Sequence, residues 1–250
     1  MLEIRNLRAG YPGNPVLESI HLTIPKGQVT VVAGPNGCGK STLLKAIAGI
    51  LPVSGDIALD KAPLSGLSSQ KLAQKIAYLP QNRQVPEITA QRLVLHGRFP
   101  YLHYPRRYRE EDIRVAQKAM AQMGITHLAD RPLPTLSGGQ RQKVYIAMAL
   151  AQDTPVILLD EPTAWLDIAH QLHLMDQAKA LAQAGKTVVL VLHDLPLALE
   201  CADNLVVMSE GRVICQGDRE TVFASGCLTD VFGVAFKRVW TEDGWKYYYP

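Results

Sequence analysis

Apolar positions alternate at the start of the chain, cluster in its middle and run unbroken later, and these changes of rhythm divide it. Leu2-Glu3-Ile4-Arg5 and Ile20-His21-Leu22-Thr23-Ile24 alternate with period two, as half-buried antiparallel strands do. The second turns at Pro25-Lys26-Gly27 into an apolar β-branched run, Val29-Thr30-Val31-Val32-Ala33. A helical stretch over 43–48 follows, stopped by Gly49. Residues 55–59 and 76–81 read as short strands, the latter ending on polar Gln81. Over 87–153 strand signals fade. There, Ile113, Ala116, Met120 and Met123 share one helical face. Unbroken apolar runs return at 156–159 and 187–192. Between them a helix over 169–184 carries Leu172, Met175 and Leu181 on one side and stops at Gly185. That is a βαβ unit, and all-apolar strands belong to parallel sheets covered on both faces. Asp194 with Pro196 starts one more helix, and 205–208 with 212–215 form a hairpin across Ser209-Glu210-Gly211. Trp240, Trp245 and Tyr247-Tyr248-Tyr249 read as packing or an edge strand.

The strongest candidate chemistry lies between the 29–33 run and the first helix. Gly34-Pro35-Asn36-Gly37-Cys38-Gly39-Lys40-Ser41-Thr42 has G-x-x-x-x-G-K-[ST] spacing in a strand–turn–helix context, which is a phosphate-binding loop. Its three glycines let successive N–H groups converge on one concavity, and the helix opening at Lys40 adds the positive end of its dipole. Lys40 can reach β- and γ-phosphates, and the Ser41 hydroxyl can ligate Mg²⁺.

Further polar groups stand where strands end. The 156–159 run stops at Asp160-Glu161, the 187–192 run at His193, and the 76–81 strand at Gln81. Ligands of open α/β sheets bind at the carboxyl ends of strands, so one ligand can meet all of these groups. Asp160 is placed to hold Mg²⁺ through water, Glu161 to activate a water, His193 to bond the γ-phosphate region, and Gln81 to complete the metal and water shell. Leu136-Ser137-Gly138-Gly139-Gln140 opens another helix, with Ser137 and Gln140 in capping-box spacing, a second anion-friendly helix start.

Composition narrows the reading only a little. A chain of 250 residues, 47% hydrophobic, can bury an ample core as one globular unit. A net charge of +3 gives no argument for nucleic acid. Cysteines 38, 201, 215 and 227 form no C-x-x-C pair, so a reduced chain without disulfide or zinc is expected. Cys38, beside a helix start, is expected to have a lowered pKa, so that its alkylation blocks nucleotide. Residues 1–5 do not look like a signal peptide, and no apolar run approaches the ~20 residues of a membrane span. A membrane role is therefore expected to need a partner. His170 and His173, lacking a carboxylate or cysteine companion, read as exposed helix residues rather than an iron site. Arg106-Arg107-Tyr108-Arg109, followed by Glu110-Glu111-Asp112, reads as a self-compensating solvated surface.

Taken together, these motifs resemble the ATP-binding subunit of ABC transporters over nearly the whole chain. Residues 34–42 look like Walker A, Gln81 the Q-loop, 136–140 the LSGGQ signature, 156–161 Walker B, Ala164-Trp165-Leu166-Asp167 the D-loop and His193 the switch histidine. The resemblance implies a P-loop NTPase fold of class α/β. The expected parts are a mostly parallel core with an antiparallel β-subdomain (1–86 and 154–220), a helical subdomain (87–153) and a C-terminal extension (221–250). It implies ATP and Mg²⁺ as ligands, and a role for Tyr11 in stacking on adenine, where local sequence alone left a plain turn tyrosine equally open. It implies a head-to-tail dimer in which Ser137, Gly138, Gly139 and Gln140 of one copy, with Asp167, complete the site of the other. The implied partners are that second copy, transmembrane permease subunits and, indirectly, a solute-binding protein, with the chain peripheral on the cytoplasmic face of the membrane. Gly97-Arg98-Phe99-Pro100-Tyr101, Leu150-Ala151-Gln152-Asp153 and Leu166-Asp167-Ile168-Ala169-His170-Gln171 look like the subfamily importing ferric siderophores, haem and vitamin B12, with the ferric-siderophore members, including the ferric-citrate type, most alike. An ATPase of iron–sulfur cluster assembly, or an importer of another cargo, is the alternative.

Overall fold

A computed structural model describes residues 1–242 and 244–249. The chain runs β1 (Leu2–Tyr11), β2 (Asn14–Ile24), β3 (Val29–Ala33), α1 (Lys40–Ile47), β4 (Val53–Leu59), β5 (Ala62–Pro63), α2 (Ser69–Ala73) and β6 (Ile76–Leu79). Three helices follow, α3 (Ala90–His96), α4 (Glu110–Gln122) and α5 (Gly138–Ala151). Then come β7 (Val156–Asp160), α6 (Ile168–Gln183), β8 (Thr187–Val191), α7 (Leu195–Cys201), β9 (Asn204–Ser209) and β10 (Arg212–Gly217). Two short helices, α8 (Arg219–Ala224) and α9 (Cys227–Phe232), precede a hairpin of β11 (Lys237–Thr241) and β12 (Gly244–Tyr248).

The central sheet has the order β10-β9-β3-β8-β7-β6, parallel throughout except for the β9–β10 hairpin. Its unbroken apolar strands follow from cover on both faces. Val31, Ile157, Leu159, Val188 and Leu190 pack with α3 to α7 on one face. Val32, Leu158, Val189, Val191 and Val206 pack on the other, with α1 and an antiparallel sheet of order β2-β1-β4-β5. Successive residues of one strand thus feed two cores, as the pleat requires.

Caps set where helices start. Asp167 accepts from the His170 N–H at 2.9 Å and Asp194 from the Leu197 N–H at 2.9 Å. The capping box at Ser137 and Gln140 is formed in both directions.

Several expectations need correcting. Leu172 is 51% exposed, and the buried stripe of α6 is Leu174, Met175, Ala178 and Ala182. Those four positions stand at helical spacing toward the sheet, whereas Leu172 lies a quarter-turn away. Cys215 and Cys227 are joined in a disulfide, against the expectation of none. A sequence separation of 12 hides the pair, but the α8–α9 turn brings the start of α9 back to β10. Ile113 on α4 is only half-buried, while Ala116, Met120 and Met123 are buried as expected. In the tail, Trp240 and Trp245 meet edge to face at 5.1 Å, and buried Tyr247 packs on Phe223. Asp243 and Pro250 of the expected 221–250 extension lie outside the described residues.

Candidate functional site

The loop over 34–42 leaves β3 and enters α1 at the carboxyl edge of the sheet. It passes so close to β9 that a Cβ on Gly34 would stand 2.3 Å from the Met208 carbonyl oxygen and 2.7 Å from Cys38 Sγ. Gly37 and Gly39 sit at φ +79° and +106°, which side chains other than glycine resist. Lys40 is buried, and its ammonium donates to the carbonyls of Gly34 (2.8 Å) and Pro35 (2.9 Å), so the cation caps the loop's concavity. Cys38 is buried beneath the loop, and burial pushes its thiol up despite the opposing charge of Lys40. The expected lowered pKa is therefore corrected: desolvation outweighs the helix start and the nearby ammonium.

Two carboxylates close the site from β7. Asp160, 1% exposed, accepts from Ser41 Oγ on Oδ1 (3.0 Å) and from the Tyr78 hydroxyl on Oδ2 (3.2 Å). Burial raises its pKa, while those two hydrogen bonds lower it. Burial, then the Asp160 charge, pushes the Tyr78 phenol up, so Tyr78 remains a donor. Glu161 follows in a left-handed conformation, φ +51°, which is uncommon for glutamate and turns its side chain out of the strand's alternation. Its two oxygens are taken by different elements, Oε2 by Gln81 Nε2 and Oε1 by His193 Nε2, each at 2.5 Å. Gln81, Glu161 and His193, placed together at the sequence level only as strand ends, are one contiguous group.

Tyr11 ends β1 rather than sitting within the turn, with Pro12-Gly13 making the turn itself. It is exposed, its hydroxyl accepts from Lys45 Nζ at 3.0 Å, and that bond lowers its pKa. The Lys45 ammonium also lies over its ring, 5.6 Å from the centroid. Among the described residues no hydrogen bond joins Ser137, Gly138, Gly139 or Gln140 to the 34–42 loop. They lie instead against Trp165: a Cβ on Gly138 would meet the Trp165 Cβ at 3.5 Å. Trp165 itself is 83% exposed. Asp167 caps α6 and pairs with His170 Nδ1 at 2.6 Å. One chain therefore assembles the loop, Tyr11, Asp160, Glu161, Gln81 and His193, and leaves Ser137 exposed at the start of α5, with Gly138, Gly139 and Gln140 partly covered.

The sequence did not single out Tyr78, Lys45 or Arg83. Arg83 Nη2 donates to Gln142 Oε1 (2.8 Å), Gln142 Nε2 to the Pro162 carbonyl (2.6 Å), and the guanidinium lies over the Tyr145 ring. This chain links the segment after Gln81, helix α5 and the residue after Glu161. Only the polar character of 81–84 after an apolar strand hinted at it.

The donor set fits a nucleoside triphosphate with Mg²⁺. The glycine cradle is one a Cβ would fill, a buried cation sits at its rim, and a hydroxyl and a carboxylate stand 3.0 Å apart beneath it. Hydroxyl and carboxylate oxygens suit a hard cation that keeps several waters. Among the described residues no group of three His, Cys, Asp or Glu is placed to hold a metal, and His170, expected to lack a carboxylate companion, has one in Asp167.

Comparison with known proteins places this geometry. Residues 17–164 match the family model described as ABC transporter. The chain is 42% identical over 231 residues to the ferric enterobactin transport ATP-binding protein of Escherichia coli (strain K12), covering 91% of this chain and 85% of that protein. It superposes with TM-score 0.85 and 29% identity on a chain from a transporter assigned to the metal-chelate ABC type, in an inward-facing conformation, covering 100% of this chain and 96% of that one. A dimeric structure of a bacterial ABC transporter cassette aligns with TM-score 0.78 and 29% identity over 88% of this chain and 99% of that one.

Proposed function

Because the chain belongs to the ABC transporter family, we propose that it is the ATP-hydrolysing subunit of an importer that moves ferric siderophores or related iron chelates across a membrane. The observation that carries the proposal is the Glu161 carboxylate held between Gln81 and His193 beside the phosphate loop. That grouping supports hydrolysis of a γ-phosphate rather than mere nucleotide binding.

The loop N–H groups and Lys40 receive the phosphates, the ammonium exchanging carbonyl oxygens for phosphate oxygens. Tyr11 stacks on the base. Ser41 and Asp160, with Gln81, would hold Mg²⁺, which would supply charge neutralisation at the phosphates. Glu161 takes the proton of the attacking water, and His193 and Gln81 orient its carboxylate for that task. Ser137, Gly138 and Gly139, with Asp167, complete the site of a second copy, so two nucleotides lie between two chains. The helices inserted between β6 and β7 lie directly after Gln81, and through them closure and opening reach the permease. No helix among the described residues is long and apolar enough to cross a membrane. The cargo reading rests on the subfamily segments around Gly97 and Leu166 and on the named relatives, which are a ferric enterobactin transport protein and a metal-chelate type transporter.

The test is to isolate the intact complex from its host and identify its partners. Membrane permeases and a solute-binding protein carrying an iron chelate are expected. Recovery with soluble scaffold proteins of cluster assembly, and no permease, would overturn the import reading.

A further inference from the structure

Tyr78 is the group nearest the reading above to which no role has been given. It pairs with Leu158 across β6 and β7. Leu158 and Asp160, two residues apart, share the face of the sheet that packs on α1, as strand geometry requires. The Tyr78 ring lies on that same face, half-buried, so its length carries the hydroxyl to Asp160 Oδ2 at 3.2 Å. Ser41 Oγ holds the other oxygen at 3.0 Å. A buried carboxylate thus has one hydroxyl on each oxygen, from the loop helix on one side and from the edge strand of the sheet on the other.

We propose that Tyr78 is a positioning residue for the divalent cation: its hydroxyl fixes the rotation of the Asp160 carboxylate so that Asp160 and Ser41 present a preset pair of oxygens. The proposal rests on the reading of Ser41 and Asp160 as the Mg²⁺ pair. The carboxylate torsion of an aspartate is soft, and a ligand whose second oxygen loses its donor is free to turn. Groups that orient a metal ligand characteristically change metal affinity ~10–100-fold when removed. The location adds a consequence. Tyr78 lies in β6 and Gln81 follows just past its end, three residues on, and they hold Asp160 and Glu161 respectively. A shift of β6 therefore acts on the metal carboxylate and the hydrolytic carboxylate at once.

The experiment uses the full chain, Tyr78→Phe and the non-hydrolysable analogue AMP-PNP, with MgCl₂ titrated from EDTA. The Phe ring keeps the packing and removes only the hydroxyl. The MgCl₂ concentration at half-effect for AMP-PNP binding should rise about tenfold or more. AMP-PNP affinity in EDTA should stay as in the native chain. In an Asp160→Asn background, adding Tyr78→Phe should cost nothing further, since both act through one carboxylate. An unchanged MgCl₂ midpoint, or an equal loss of affinity in EDTA, would overturn the proposal and leave Tyr78 a packing residue. If the native chain bound AMP-PNP equally with and without MgCl₂, the Ser41–Asp160 metal reading would itself fail, and this inference with it.

Discussion

At the scale of single residues, the site is a set of groups each held by a partner from another element. Glu161 is the clearest case, with Gln81 on one oxygen and His193 on the other and a left-handed backbone beneath. Glu161→Gln keeps the shape and removes the base. ATP should still bind with near-native affinity, while turnover in the permease-bound complex falls roughly 100-fold or more. Steady-state phosphate release checks this, and normal hydrolysis by the variant would sink the role given to Glu161. The residues named from sequence were those at strand ends, because such polar groups stand out after apolar runs. Tyr78 did not stand out: a tyrosine inside a strand reads as packing, and only the register of β6 on β7 shows its hydroxyl reaching Asp160. Cys38 was misjudged because a helix start is visible in sequence and burial is not.

At the scale of elements, caps and close approaches decide the geometry. The approach of the phosphate loop to β9 leaves no space at Gly34. Gly34→Ala should therefore force the loop off Met208 and weaken ATP binding at least tenfold, while the sheet remains folded. Nucleotide titration beside a thermal melt separates the two effects, and unchanged affinity would show that the loop can yield. Strand existence was legible throughout the parallel core, since unbroken apolar runs such as 156–159 and 187–192 belong only to a doubly covered sheet. Helix α5 was legible from its capping box, which is formed as read. The burial of α6 was less so. Its moderate alternation of small and large apolar residues left the choice between Leu172 and Leu174 to tertiary packing. The Cys215–Cys227 link depends on where two short helices turn, which no local pattern announces.

At the scale of the whole molecule, one chain gathers the phosphate loop, Asp160, Glu161, Gln81 and His193, while among the described residues its 137–140 segment makes no hydrogen bond to that loop. Glycines 138 and 139 lie against the backbone and Cβ of the exposed Trp165, forming a surface around a capped helix start. In the proposed function that surface meets a nucleotide held by a second copy, its γ-phosphate lying against the N–H groups there. Central to the proposed function is the division of the site between two chains. It is tested most directly by light scattering of the Glu161→Gln chain with Mg-ATP and with Mg-ADP, beside the same chain carrying Ser137→Arg. A doubled mass is expected with ATP alone, and a monomer with ADP. The Ser137→Arg chain should stay monomeric while binding ATP as tightly as before. A dimer indifferent to the nucleotide, or one that Ser137→Arg leaves intact, would contradict it.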